Sequence, residues 1–498
     1  MIVLALIPAG GLAYTWRWAE DKIPTDGASS TSGSTSSTAT TDGTAPTATT
    51  ALTDGTATTD GSAGTDVEGT SIPAPVIPLT TPMLSVRRAP RTIVTLTSET
   101  ALVDSLALLS PFVGDTSCLV VSLDGRVIYD FGGDLPVTPA SNQKLLVAAV
   151  ALEALTPDYT FSTRLRGTIA DGVVMGDLYL VGGGDPLLST AAYPATQEYP
   201  PTSTTSLETL VANLVAMGVT RIQGNVIADE SRYDAERYVP TWGDEVRDVE
   251  AGPLGALMVN DAIRSVGSGS TQRVSDPAVG AANELIQLLR DAGIRIGGSA
   301  RAGVTPPETP EITSVESAPL SAIVAEMLTT SDDNTAELLL KELAVVEQIG
   351  NSRLAGLEVV SGTLVTWGID TTKLTLIDGS GLDAGNIVTC NVVRQILIHQ
   401  PLSGPLGTGL AVAGETGTLA AEESLGPAME GRLHAKTGTL SNVKSLSGFV
   451  ATDAGTLEFS MILDFADADT LYPGIWMTLG VVFAAFPAGP TVEQIQPR

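Results

Sequence analysis

Hydrophobic residues are concentrated at the very start of the chain and then become sparse before the main body begins. Residues 2–14 are almost wholly apolar, but the run is shorter than the roughly 20 residues of a membrane-spanning helix and lacks the basic start of a signal peptide. Residues 24–75 are dominated by Thr, Ser, Ala, Gly and Asp, which cannot build a core. We therefore expect residues 1–15 to be the remnant of a signal or membrane anchor and residues 16–88 to be a disordered linker.

From residue 89 onward, apolar positions recur with the spacing of helices and strands. Helical spacing covers 101–109 and 141–155, and Asp124-Gly125 between two apolar runs predicts a hairpin of strands 118–123 and 127–129. The other predicted helices are 207–217, 281–292, a helical region from 320 with a break at Asp333 or Asn334, and 473–486. The other predicted strands are 164–181 with a turn at Asp171-Gly172, 222–228, 444–450 and 456–463.

The middle of the chain, residues 161–310, has its own alternation of strands and helices. A chain of 498 residues is long enough for two or three domains. The simplest account is one domain built from residues 89–160 and 311–498, interrupted by one or more inserted domains that cover residues 161–310.

Composition narrows the classes of partner and of site. A net charge of −30 repels phosphates and excludes nucleic acid as an expected partner. With only two histidines, His399 and His434, the chain offers little material for a zinc site or a Ser-His-Asp triad. Its two cysteines, Cys118 and Cys390, do not make a disulfide scaffold, and we expect both to be buried as small hydrophobic residues.

The first chemical motif is Ser141-Asn142-Gln143-Lys144, at the start of an apolar helix. Residues three apart on a helix share a face, so Lys144 can accept the proton that Ser141 must lose to become a nucleophile. A lysine does this only when it is neutral, which requires desolvation or a nearby positive charge. Taken alone, the motif is better explained by a serine that caps a helix and an exposed lysine.

A second motif, Lys436-Thr437-Gly438, follows a strand-like run. A cation, a hydroxyl and a glycine on a strand edge suit an extended peptide that ends in a carboxylate, because Gly438 lets the ligand backbone approach. Lys436 could also supply the positive charge that keeps Lys144 neutral. By itself, the motif is better explained by an ordinary strand with a turn at Gly438.

Between these two motifs lies Ser331-Asp332-Asp333-Asn334, and the ordered trio corresponds to S-x-x-K, S-x-N and K-T-G. With the stretches 139–146, 178–186, 378–382 and 435–440, the chain resembles class C low-molecular-mass penicillin-binding proteins, the D-alanyl-D-alanine carboxypeptidases/endopeptidases. The resemblance covers residues 89–488. It implies an α/β fold, namely a serine β-lactamase/penicillin-binding transpeptidase-like α/β/α domain with a strand-rich α+β insertion.

The resemblance also implies a role for each motif residue. Ser141 would be the acylated nucleophile, and Lys144 would accept its proton. Ser331 would relay a proton to the leaving group. Lys436 and Thr437 would bind the substrate carboxylate on the strand that carries Gly438, and the backbone N–H groups of Ser141 and Thr439 would form the oxyanion hole.

The second motif departs from the family pattern, because Asp333 stands where the family has Asn. An ionised Asp accepts hydrogen bonds but cannot donate one to a substrate carbonyl, and it stabilises the charged form of Lys144. Three alternatives stay open. Asn334 takes over the substrate contact, Asp333 is protonated when desolvated, or Asp333 or Asn334 merely caps the following helix.

Taken together, the sequence predicts an exported serine-type D-Ala-D-Ala carboxypeptidase/endopeptidase of the cell envelope or extracellular space. It would act on peptidoglycan peptides through an acyl-enzyme, be inhibited by β-lactams, need no metal or cofactor, and contact a membrane only through an N-terminal anchor. One alternative is a β-lactamase or esterase on the same fold, which would deacylate fast. Another is a cell-wall-binding scaffold whose site is weakened at Asp333.

Overall fold

The computed structural model describes residues 90–267 and 270–487, so the predicted anchor and linker lie outside the described residues. The helices are α1 Pro90–Ala107, α2 Ser110–Val113, α3 Gln143–Ala154, α4 Leu207–Ala216, α5 Pro277–Asp291, α6 Leu320–Thr330, α7 Asp333–Val346, α8 Arg353–Thr366, α9 Cys390–His399, α10 Pro405–Thr408 and α11 Ala468–Ala484. The strands are β1 Cys118–Leu123, β2 Arg126–Phe131, β3 Ser162–Ala170, β4 Val173–Val181, β5 Leu188–Ser189, β6 Thr205–Ser206, β7 Arg221–Ile222, β8 Val226–Asp229, β9 Ile263–Gly267, β10 Ser270–Arg273, β11 Arg295–Ile296, β12 Ala300–Ala302, β13 Glu311–Glu316, β14 Ala411–Val412, β15 Leu433–Leu440, β16 Val443–Thr452 and β17 Gly455–Asp464.

One sheet is antiparallel and has six strands in the order β14-β15-β16-β17-β1-β2. Strand β1 is buried on both faces, because Cys118 and Val120 pack among helices α3 and α6 to α9 while Leu119 and Val121 pack with α1 and α11. Helices therefore cover both faces of this sheet, which confirms the predicted α/β/α architecture.

A second, seven-stranded sheet lies within residues 162–316, where β5-β6 and β9-β10 form two further two-stranded sheets. Its order is β11-β7-β4-β3-β13, with β8 also paired to β4 and β12 to β8, and it combines parallel and antiparallel neighbours. Helices α4 and α5 pack on it in a core of their own. The first and last strands of the block are neighbours, since Ser162 pairs with Glu316. The domain boundaries at 160 and 310 stay a prediction, and the sheet extends a few residues past the second.

The two predicted tight turns are confirmed, and one predicted strand is wrong. Asp124-Gly125 and Asp171-Gly172 all have positive φ, as hairpin turns of this kind require. The strand predicted at 222–228 is two short strands, β7 and β8, which pair with different parts of β4. A bend at Gly224 separates them, and beside it the backbone N–H of Asn225 donates a hydrogen bond to the Asp177 carboxylate.

The two cysteines correct an expectation. Cys118 and Cys390 are buried as predicted, but they are joined in a disulfide between β1 and the start of α9. They lie 272 positions apart in the chain, with their Cα atoms 6.0 Å apart. The sequence pattern gave no sign of this pairing, because it depends on the packing of α9 across β1, which no local pattern reveals.

One helical stretch of the described region, Thr92–Val113, is long and apolar enough by length and composition to cross a membrane. Its Leu102 and Leu106 are buried against the core that contains α11. A core helix passes the same test of length and composition, so the stretch is weak support for a membrane span.

We predict that replacing both cysteines, Cys118→Ala with Cys390→Ala, lowers the free energy of unfolding by about 2–5 kcal/mol, because the unfolded chain gains the freedom that the disulfide removes. Guanidinium unfolding of the two proteins measures the difference. Wild-type protein unfolded and refolded in a thiol reductant is the control and should match the variant. Equal stability of variant and oxidised wild type would contradict the prediction.

Candidate active site

Ser141 lies in a short 3-10 turn, Ala140–Asn142, that leads directly into the buried helix α3. The sheet fixes this turn from below. Ser445 Oγ donates a hydrogen bond to the carbonyl of Pro139 at 2.8 Å, and Asn142 Nδ2 donates to Ser447 Oγ at 2.9 Å. Since both serines belong to β16, the central sheet holds Ser141 at the edge of the cleft.

Lys144 is fully buried beneath Ser141. Its Nζ lies 3.0 Å from Ser141 Oγ, 2.6 Å from Asp333 Oδ1 and 2.7 Å from the Ser380 carbonyl oxygen. The helical spacing of the first motif therefore brings the hydroxyl and the amine within hydrogen-bond distance. A neutral Lys144 in this position has a partner for each of its three tetrahedral directions.

Lys436 is the second fully buried amine of the site. Its Nζ donates hydrogen bonds to Ser331 Oγ at 2.8 Å and to the Thr437 carbonyl at 2.7 Å. Burial holds the pKa of Lys436 well below its ordinary value, and the nearby charge of Lys144 acts in the same direction while Asp333 opposes it. The structure thus brings the first and third motifs together around the second.

Ser331 is held in a backbone conformation that is unusual for a non-glycine residue. It ends α6 with φ 66° and ψ 33°, in the left-handed region. Such a conformation is costly and persists where the surrounding structure enforces it. Here it ends α6 at a sharp turn and places the Ser331 hydroxyl on Lys436.

The cap of helix α7 differs from the expected one. Asp332, and not Asp333 or Asn334, is the N-cap, and its carboxylate accepts hydrogen bonds from the backbone N–H groups of Asn334 and Thr335. Burial raises the pKa of Asp332 to about 7, and the neighbouring Asp261 carboxylate contributes in the same direction.

With Asp332 as the cap, the next two side chains point to different partners. Asp333 pairs with Lys144. Asn334 is buried and turned away from the cleft, where its Oδ1 accepts the N–H of Gly252 at 3.0 Å and its Nδ2 donates to Asp261. The structure therefore gives Asn334 a place in the contact with the inserted block, not in the cleft.

Strand β15 forms the other wall of the site. Thr437 Oγ1 donates to Thr418 Oγ1 at 3.0 Å, and Thr439 Oγ1 accepts from Lys444 Nζ at 3.2 Å. A Cβ at Gly438 would lie 2.9 Å from the backbone nitrogen of Ser141, so only glycine lets the strand run this close to the nucleophile.

A cleft of about 830 Å³ lies between the six-stranded sheet and the inserted block. Ser141, Ser331, Asp333 and the strand residues 437–439 face it from one side. Tyr193, Glu250, Asp261 and Arg273 are among the residues that face it from the inserted block. Within the described ranges, no group of three or more His, Cys, Asp or Glu side chains is arranged to hold a metal ion.

Sequence reasoning missed two contributors to the site. The residues that flank Ser380 lack the pattern of a nucleophile elbow, yet its carbonyl is a partner of Lys144. Thr418 lines the cleft beside Thr437 and belongs to no motif. For Ser380 a signal existed, because 378–382 was one of the stretches that carried the family resemblance.

Comparison with known sequences agrees with this geometry. Residues 101–270 and 262–473 match the D-Ala-D-Ala carboxypeptidase 3 (S13) family. The D-alanyl-D-alanine carboxypeptidase of Actinomadura sp. (strain R39) is 30% identical over 425 residues, covering 69% of this chain and 76% of that protein. A carboxypeptidase of Mycobacterium tuberculosis is 32% identical over 356 residues, covering 68% of this chain and 74% of that protein.

Comparison with solved structures supports the fold. The crystal structure of penicillin binding protein 4 from Haemophilus influenzae matches with a TM-score of 0.62 at 20% identity, covering 74% of this chain and 97% of that one. The same protein complexed with a β-lactam matches with a TM-score of 0.57 at 21% identity, covering the same shares.

We predict that Gly438→Ala lowers the free energy of unfolding by about 1–3 kcal/mol, because its Cβ would press on the Ser141 backbone and on Ser445 Oγ. Denaturant unfolding measures the loss. The matched control is Gly362→Ala on α8, where the new methyl group meets no atom within 4 Å and the variant should be up to about 1 kcal/mol more stable than wild type. Equal effects of the two substitutions would contradict the prediction.

Proposed function

We propose that the protein hydrolyses D-Ala-D-Ala peptides of peptidoglycan through an acyl-enzyme on Ser141. The chain belongs to the D-Ala-D-Ala carboxypeptidase 3 (S13) family. It is a class C low-molecular-mass penicillin-binding protein, which is a serine carboxypeptidase. The observation that carries the proposal is the 3.0 Å separation of Ser141 Oγ and Lys144 Nζ at the edge of a cleft that also contains the K-T-G strand.

In the acylation step, Lys144 accepts the Ser141 proton while Oγ attacks the carbonyl carbon of the penultimate D-Ala. The backbone N–H groups of Ser141 and Thr439 stabilise the resulting oxyanion. The peptide C–N bond then breaks, and the departing amine of the last D-Ala takes a proton relayed by Ser331. Water later attacks the ester carbonyl, which releases the shortened peptide and returns the proton to Ser141.

Recognition of the substrate carboxylate falls to the K-T-G strand. Lys436 Nζ contacts both Ser331 Oγ and the Thr437 carbonyl, so the amine lies directly beneath two residues that line the cleft. The Thr437 hydroxyl donates to Thr418 Oγ1. It would rotate to donate to the carboxylate of a bound substrate instead. An extended peptide would lie along the strand at Gly438, where no side chain obstructs it.

β-Lactams would acylate the same serine, because they present a reactive amide and a carboxylate in the arrangement of a D-Ala-D-Ala end. The fold match to a penicillin binding protein complexed with a β-lactam is consistent with this part of the proposal. Stable acylation would favour the peptidase, and rapid turnover of the drug would favour a β-lactamase or esterase on this fold.

Asp333 favours a slower enzyme as a second candidate. Its carboxylate lies 2.6 Å from Lys144 Nζ and stabilises the charged form of the amine, which cannot accept a proton. It also lacks the amide donor that the family's Asn offers to a substrate carbonyl. We propose that this protein catalyses the same reaction as its family, at a lower rate than relatives that have Asn at this position.

Export is the last part of the proposal. The disulfide between Cys118 and Cys390 supports it, because structural disulfides persist mainly in oxidising compartments outside the cytosol. Peptidoglycan lies outside the membrane as well. The apolar residues 2–14 and the polar residues that follow would then anchor or export the catalytic part.

One prediction of the proposed function concerns the nucleophile. Intact mass after exposure to penicillin should increase by one drug molecule in the wild type, and Ser141→Ala should abolish the increase because the attacking oxygen is gone. Thermal unfolding of both proteins controls for folding. An adduct that persists in a folded Ser141→Ala protein would remove Ser141 from its role.

The second prediction concerns the departure in the second motif. Asp333→Asn should raise the rate of acylation by penicillin roughly tenfold, because it frees Lys144 to act as the base and restores an amide donor. Stopped-flow labelling with fluorescent penicillin measures the rate. Asp332→Asn is the matched control, since the side chain caps α7 and does not touch Lys144. An unchanged or lower rate in Asp333→Asn would refute the weakening effect.

A further inference from the structure

We propose that Glu337 is a positioning residue for the reaction, which fixes the backbone N–H groups of Gly379 and Ser380 and thereby the loop whose Ser380 carbonyl orients the lone pair of Lys144 toward Ser141. The inference deepens the proposed function and rests on it. Glu337 lies on α7, one turn after Asp333, and is fully buried.

The contact between Glu337 and the Ser380 loop is specific. One carboxylate oxygen, Oε1, accepts two backbone hydrogen bonds, from Gly379 N at 2.9 Å and from Ser380 N at 2.8 Å. The other oxygen, Oε2, is buried and has no hydrogen-bond partner in the described part of the chain. Burial raises the pKa of Glu337 to about 8, with the neighbouring Asp378 carboxylate contributing. A proton on Oε2 leaves both backbone bonds in place.

The same loop is fixed at its other positions too. The Asp378 carboxylate accepts the N–H of Gly381 at 2.8 Å and the indole N–H of Trp242 at 2.8 Å. The backbone carbonyl of Asp378 accepts from Gln143 Nε2 at 3.2 Å. Gly381 has φ +85° and packs against the Ala140 carbonyl, just before Ser141. Three successive loop N–H groups are thus held by two buried carboxyl groups, and Glu337 holds two of the three.

The consequence for Lys144 follows from the geometry of an amine. A neutral lysine has two N–H bonds and one lone pair, and it can act as a base only along the lone pair. Asp333 Oδ1 and the Ser380 carbonyl each accept one N–H, which leaves the lone pair for the Ser141 hydroxyl. If the Ser380 carbonyl turned away, Lys144 could rotate and the productive orientation would be one of several.

The test compares four full-length proteins, namely wild type, Glu337→Leu, Glu337→Gln and Glu342→Gln. Leucine removes the acceptor, whereas glutamine keeps an oxygen in the Oε1 position. Glu342 is the matched control, a buried carboxylate on the same helix whose contacts are Tyr159, Arg232 and Tyr233. Stopped-flow acylation by fluorescent penicillin separates the reversible binding constant from the acylation rate constant k2, and thermal unfolding reports stability.

We expect Glu337→Leu to lower k2 by roughly 10-fold to 100-fold with the binding constant within about twofold of wild type, as loss of a positioned base would do. Glu337→Gln should retain k2 within about threefold, and Glu342→Gln should retain k2 while unfolding at a lower temperature. The proposal is overturned if Glu337→Leu keeps wild-type k2, if Glu337→Gln is as slow as Glu337→Leu, or if Glu342→Gln slows acylation equally.

Two further measurements keep the outcome decisive. If Glu337→Leu does not fold, Glu337→Asp replaces it, since the shorter side chain withdraws the acceptor, and wild-type k2 in that variant overturns the proposal. If the wild type is not acylated, the proposed function fails. In that case amide hydrogen exchange at Gly379 and Ser380 tests whether Glu337 fixes the loop. Faster exchange in the Leu variant but not in the Gln variant supports the positioning role, and equal exchange in all four proteins overturns it.

Discussion

The burial of two lysine amines at the base of one cleft is the constraint on which the rest of the site depends. Lys144 and Lys436 are both fully buried, and removing an ammonium group from water is costly unless acceptors replace the water. Each amine therefore has oxygen partners at 2.6–3.0 Å, supplied by the end of α6, the start of α7, the Ser380 loop, the first motif and β15 itself. Burial holds the pKa of Lys436 well below its ordinary value, and repulsion by the nearby Lys144 amine acts in the same direction.

Helix α7 connects this site to the inserted block. At its start, Asp333 meets Lys144 and Asn334 meets Gly252 of the inserted block. Further along, the buried Lys341 pairs with Asp234, and Glu342 accepts from Arg232. The same helix therefore carries both the catalytic motif and the main polar contacts with the inserted block.

The sequence predicted the local features of this arrangement well and the long-range ones poorly. The spacing of Ser141 and Lys144 fixes their contact, because three positions on a helix fix a shared face. The N-cap was misassigned by one or two residues, since Asp332, Asp333 and Asn334 are all good caps and tertiary contacts choose among them. The disulfide could not be predicted, because it joins segments far apart in the chain. For Ser380 the resemblance of 378–382 marked the stretch, but the contact of its carbonyl with Lys144 leaves no trace in residue type.

The pairing of Ser162 with Glu316 has a consequence for how such a molecule could arise and be altered. The strand-rich block leaves and re-enters the rest of the chain through hydrogen-bonded neighbours, so its two ends are already closed on each other. The conformational entropy lost when the chain between α3 and α6 is closed is therefore close to that of a short loop. The reason is that this cost depends on bringing the two ends together and grows slowly with length. A block of another size at this junction would therefore change the cost of loop closure only slightly.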